Sequence, residues 1–129
     1  MSNNFYYPAV FQQEDIGFSV AVPDLPGCFT QGDTIDEALE MCQEAIGLWL
    51  EDLSENDYPA ASKPADIPTT DNQFVMMVRF DKLAYDKKYN ARAVKKTLSI
   101  PAWLNKLALE RNINFSNTLQ NALIRELNL

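Results

Sequence analysis

A chain of 129 residues, 47% of them hydrophobic, carries enough apolar surface for one ordinary domain or two small ones, and no run approaches the roughly 20 apolar residues that cross a bilayer. MSNNFYYPAV lacks the basic flank and apolar run of a secretory signal, so the expected location is the cytoplasm. With no histidine, the chain lacks the commonest general base, the Ser/His and Cys/His nucleophile pairs and most metal sites, and no cofactor or metal is expected. Cys28 and Cys42 have neither the spacing nor the companions of a zinc site and are expected to be buried, reduced thiols.

The net charge of −7 is unevenly spread. Residues 1–81 hold two basic side chains, Lys63 and Arg79, against 15 acidic ones, a balance of −13; residues 82–129 hold nine against three, a balance of +6. Two parts with different partners follow: something cationic for the first, an anion for the second.

Along the first part, Phe5 to Gln12 reads as a strand that Pro8 places at an edge or bends. Gln13 to Gly17 reads as a turn, and the alternation of Phe18, Val20 and Val22 as the returning strand of a hairpin. After the loop Pro23-Asp24-Leu25-Pro26-Gly27, a short extended piece, Cys28-Phe29-Thr30, is expected. Thr34 with Glu37 makes a capping box. Behind it Ile35, Ala38, Leu39, Cys42, Ile46, Trp49, Leu50 and Leu53 recur at helical spacing, which predicts an amphipathic helix of about 20 residues lying on a sheet. Asn56 to Asn72, with three prolines, reads as a surface loop, and FVMMVRF at Phe74–Phe80 as a further strand. The expected first domain is therefore β-β-β-α-β over residues 1–81, with a polar, basic linker over 82–93.

From Val94 the pattern changes. Val94, Leu98 and Ile100 alternate with Lys95, Thr97 and Ser99, interrupted only at Lys96, and Pro101 then opens a helix expected to run to Arg111. Asn112 suits a left-handed turn, and Ser116 is the expected cap of a second helix with Phe115, Leu119, Ala122, Leu123 and Leu127 on its apolar side. One strand and two short helices cannot satisfy a ladder or bury this surface alone, so residues 94–129 are expected to fold as a dimer whose strands pair antiparallel around Leu98 and Ile100. The outer face of that ribbon shows Lys95, Thr97 and Ser99 twice, at a width that fits the DNA major groove. Ser116 and Asn117, at a helix N-terminus, together with Arg92 and Lys96, are candidates for phosphate contacts.

Ala93 to Leu127 resembles a ribbon-helix-helix of the Arc and MetJ type. Pro23-Asp24-Leu25-Pro26-Gly27-Cys28, with Thr30, Gly32-Asp33-Thr34 and Glu37-Ala38, resembles the signature of the N-terminal domain of HicB antitoxins. Departures from the pattern are Asn112 where many such turns carry glycine, and Lys96 in the inward row. The resemblance implies an α+β chain: a partial RNase H-like N-terminal domain that binds a small basic HicA-type toxin, an RNA-cleaving protein with a catalytic histidine, and a ribbon-helix-helix that represses the operon. It implies operator double-stranded DNA and the toxin as partners, a dimer or tetramer as the assembly, and no enzymatic activity. Pro23 to Gly27 is the expected toxin-facing loop. Two alternatives stand beside it. One is a repressor whose first domain senses a small ligand. The other is a metal-dependent nuclease using Asp15, Asp24, Asp33 and Asp36, positions that a turn, a loop and a helix start already explain.

Overall fold

The computed structural model describes residues 4–129, and the chain divides into two compact units, Met1–Arg92 and Ala93–Leu129. In the first, strands β1 (Asn4–Gln13), β2 (Phe18–Ala21), β3 (Phe29–Gly32) and β4 (Gln73–Asp81) form one sheet in the order β3-β2-β1-β4, every neighbouring pair antiparallel. This is the expected order of elements. Helix α1 (Ile35–Leu50) crosses one face of the sheet. Tyr7, Ala9 and Phe11 of β1, Val20 of β2, and Val78 and Phe80 of β4 meet Ala38, Cys42, Ile46 and Leu50 of α1 in a dry core. The parity of the strand residues and the three-to-four spacing of the helix residues produce that contact directly.

Pro8 lies in a central strand rather than at an edge. The register explains how. β2 pairs only with Val10–Gln13, so the earlier half of β1 has β4 as its one neighbouring strand. Gln13 N donates to Asn72 O, which makes the odd residues of β1 the ones bonded to β4. The nitrogen of Pro8, opposite Met77, therefore points to the side where no strand lies, and no ladder bond is lost.

The Thr34 side chain accepts from Glu37 N at 3.1 Å, as the capping box requires. The helix ends at Leu50, short of the expected 20 residues, where Glu51 and Asp52 would place two negative charges at the negative end of the helix dipole. The chain then bends through 3-10 turns at Glu55–Asp57 and Pro64–Asp66. At the other end of the sheet Gly17 takes φ +76°, and a Cβ there would stand 2.1 Å from Gly32 O. The tip of the β1–β2 turn is thus seated on the β3–α1 junction.

The segment expected as a linker over 82–93 is in large part helical. Helix α2 (Lys82–Tyr89) is capped by Asp81, whose carboxylate accepts from Ala84 N at 3.0 Å. It has no apolar stripe, which is why no period shows in the sequence. It holds instead through the Tyr85 ring, which packs edge-on to Phe80 at 5.6 Å and occupies the space a Cβ on Gly47 would need. Lys82 pairs with Glu55 at 3.2 Å and Lys88 with Glu44 at 3.1 Å.

In the second unit, helices α3 (Ala102–Glu110) and α4 (Phe115–Glu126) are joined by Asn112 at φ 54°, with Ile113 N donating to Ala108 O at 3.0 Å to close the turn. Asn112 therefore does the work that glycine does in many such turns. The cap of α4 is Asn114, which accepts from Asn117 N at 3.0 Å; Ser116, the expected cap, is the second helical residue. Residues 91–101 belong to no helix or strand, because the expected strand at 94–100 has no neighbour in a single chain. No helix among the described residues is long and apolar enough to cross a membrane.

Replacing Ile46 by Ala should cost about 2–5 kcal/mol in urea unfolding, while Leu48→Ala, two residues on and outside the core, should stay within about 0.5 kcal/mol. Equal losses at both positions would mean that α1 is turned differently on the sheet.

Candidate functional site

With α2 included, the first unit holds six basic and 16 acidic side chains, a balance of −10, and residues 93–129 hold five and two, a balance of +3. Part of the positive charge in α2 is neutralised within the unit. Lys82 and Lys88 both pair with acidic residues, and Tyr89 Oη donates to Glu44 as well. These hydrogen bonds, from Tyr89 first and then Lys88, hold the Glu44 carboxyl below the usual carboxylate range. A carboxyl depressed on folding adds stability above its unfolded value and loses it as pH falls through the folded one, so the α1–α2 contact is weakest in acid.

The loop Pro23–Gly27 turns its groups inward. The Asp24 carboxylate accepts from Ser62 N at 2.8 Å and from Ser62 Oγ at 2.5 Å, joining the loop to the proline-rich segment across 38 residues. Leu25 is in the core, Trp49 Nε1 donates to Pro26 O at 2.9 Å, and Gly27 takes φ +84°. Tyr7 Oη reaches Pro59 O at 2.7 Å, and burial, with the Asp24 charge nearby, pushes its phenol up. Pro23, Pro26 and Gly27 are exposed, but the polar chemistry of the loop already has partners. The link to Ser62 has no local sequence signal, since it depends on the path of a loop with three prolines. Among the described residues no three Asp, Glu, Cys or His side chains gather closely enough to hold a metal ion.

Cys28 and Cys42 are free and buried. Burial pushes the Cys28 thiol up, and burial with the neighbouring Cys28 pushes Cys42 up to about 12. Both therefore stay protonated at neutral pH, without the thiolate that reacts. At pH 8 a disulfide reagent such as Ellman's should label neither cysteine in the folded protein and both after unfolding. Rapid native labelling of Cys42 would show that α1 opens from the sheet.

The second unit contains no buried residue. Leu98 is 65% exposed, Ile100 is also exposed, and Ile100, Leu104, Leu107, Ile113 and Phe115 line an open apolar hollow. Arg92, at the end of the first unit, and Lys95, Lys96, Thr97 and Ser99 are exposed. At the start of α4 the Asn117 N–H is taken by the Asn114 side chain, while the N–H groups of Phe115 and Ser116 have no partner among the described residues.

A helix on an antiparallel sheet with an excess of acidic side chains, followed by a small basic helical unit without a buried residue, makes this an α+β chain in two parts of opposite charge. The sequence matches the family model described as the HicB-like antitoxin of bacterial toxin–antitoxin systems over residues 6–122, and the chain belongs to that family. It is 26% identical over 127 residues to Antitoxin HicB 2 of Photorhabdus laumondii, covering 95% of this chain and 91% of that one. It is 43% identical over 51 residues to an uncharacterised 14.9 kDa protein of Haemophilus phage HP1, a match that spans 40% of this chain and 38% of the phage protein. Among solved structures, it resembles a chain of a toxin–antitoxin complex from Streptococcus pneumoniae at 32% identity and a TM-score of 0.59, covering 95% of this chain and 99% of that one. It also resembles the Burkholderia pseudomallei antitoxin HicB at 25% identity and a TM-score of 0.52, covering 95% and 98%.

Proposed function

We propose that this antitoxin neutralises a small basic HicA-type toxin through its acidic first unit and represses its own operon through a dimeric second unit. The observation that carries the second half is the absence of any buried residue in the second unit. Two short helices and an unpaired arm become a folded module when two copies meet. The arms then pair antiparallel as a ribbon-helix-helix, and Leu98 and Ile100 close the apolar hollow of α3 and α4. Lys95, Thr97 and Ser99 are left on the outer face, where a two-stranded ribbon fits the major groove and lysine reaches guanine acceptors. Arg92, Lys96 and the free N–H of Ser116 serve phosphates; Asn117 does so through its side-chain amide, because its backbone N–H is engaged by the cap.

The first half rests on the family and on the charge balance of −10, which would steer and orient a basic partner. The S. pneumoniae relative was solved in a toxin–antitoxin complex, which fits this reading. Binding and masking the toxin requires no chemistry of the antitoxin's own, in keeping with a non-enzymatic role. The assembly expected is a dimer through the second unit, or a tetramer where dimers pair, acting in the cytoplasm.

Two measurements test the halves separately. Lys95→Ala with Thr97→Ala should abolish specific operator binding in a mobility-shift assay while leaving toxin capture intact; unchanged operator binding would remove the ribbon from DNA recognition. Residues 1–92 alone should copurify with the toxin and not with operator DNA, and failure to hold the toxin would move neutralisation elsewhere.

A further inference from the structure

β3 is one edge of the sheet, with no further strand paired to its outer side among the described residues. Val22 N donates to Cys28 O, so Thr30 and Gly32 turn their backbone groups toward β2, and Phe29 and Gln31 turn theirs outward. None of those outward N–H and C=O groups has a partner among the described residues. Beside them, Phe29 is 72% exposed, and Ile16, at the tip of the β1–β2 turn, is 79% exposed. Cross-strand pairing sets Phe29 in one row with Ala21, Val10 and Val75, on the sheet face away from α1. A shallow hollow opens there among Val10, Ala21 and Phe29, a second lies between Ile16 and Gln31, and Ser19 lines both. Glu14 and Asp33 line the second, Asp15 sits next to Ile16 in the chain, and no lysine or arginine lines either. The seating of Gly17 on Gly32 holds the tip in place.

We infer that the basic partner docks on this β3 edge, with Phe29 and Ile16 as apolar anchors and its Lys and Arg side chains against Glu14, Asp15 and Asp33. This rests on the toxin-neutralising reading above and adds the surface. Apolar anchors inside a charged rim, beside unpaired strand groups, are what a partner strand or loop engages. The rival surfaces are less available. The Pro23–Gly27 loop has its polar groups tied inward. The acidic side of α1 has no free backbone groups, and Lys88 already covers Glu40 and Glu44. The opposite edge, β4, presents Arg79, whose carbonyl is taken by Gln43 Nε2 at 3.0 Å. A second copy of this chain would set the acidic rim against its own image across a two-fold axis, which costs energy where a cationic partner gains it.

The test uses the full chain and a HicA-type toxin whose catalytic histidine is changed to Ala, with affinity measured by calorimetry. Phe29→Asp combined with Ile16→Asp should weaken binding about 30-fold or more, as loss of anchor residues does, with melting temperature and operator binding unchanged. Leu48→Asp, on the outer side of α1, should bind as the unmodified chain does. Asp15→Asn with Asp33→Asn should slow association and flatten its salt dependence. Three results would overturn the assignment: unchanged affinity of the Phe29/Ile16 variant, an equal loss on Leu48→Asp, or a Phe29/Ile16 variant that halves the solution mass of the antitoxin yet still holds toxin. If the unmodified chain binds no toxin at all, the neutralising reading itself falls, an outcome distinct from equal binding by chain and variant.

Discussion

Everything in the first unit depends on the seat of α1 across the sheet. Phe11 stands at its centre, fully buried, with Ala38, Cys42, Ile46 and Leu50 of the helix in the same core. Because the inward side of α1 must be apolar, its acidic residues have only the outward side to occupy, so the packing that makes the fold also makes the charged surface. The loop and turn details serve the same seat. Asp24 fastens the loop after β2 to Ser62, Trp49 holds Pro26, and Gly17 lets the hairpin tip close onto Gly32. α2 then fits against the helix at Gly47, where the lack of a side chain lets a tyrosine ring approach the backbone.

The two units solve their charge in opposite ways. The first concentrates carboxylates and uses its own lysines, Lys82 and Lys88, as internal partners, which keeps α2 on α1. The second leaves Lys95 and Lys96 unpaired and exposed. Each unit is therefore a poor partner for the other's proposed ligand: the acidic unit repels phosphate, and the basic arm repels a basic protein. Electrostatics alone would keep the two proposed binding functions apart along the chain.

Elements with strong periodicity are legible in the amino-acid order itself. The hairpin, α1, its cap at Thr34 and the two C-terminal helices lie within a few residues of their expected bounds, because period and capping are local signals. Pro8 reads as an edge residue because the span of β2, which frees its nitrogen from the ladder, is not written near it. α2 escapes a reading by period because it is held by Tyr85 against Gly47 and by ion pairs rather than by an apolar face. The exchange of Ser116 for Asn114 as cap is a choice between two competent side chains two residues apart. Of the site, the ribbon candidates can be named from alternation, whereas Phe29 and Ile16 have the look of ordinary strand and turn residues. Their exposure depends on β3 being an edge and on Gly17 fixing the tip, both of them properties of the assembled sheet.

A second unit with no buried residue also changes how the protein responds to its own abundance. On the proposed reading, toxin capture would grow in proportion to the number of chains, whereas a DNA reader assembled from two copies would grow with the square of that number while pairs are scarce. At low dose the chain would protect before it silences. As copies accumulate, silencing would rise faster than protection, and the gene would acquire a threshold without any ligand to set it.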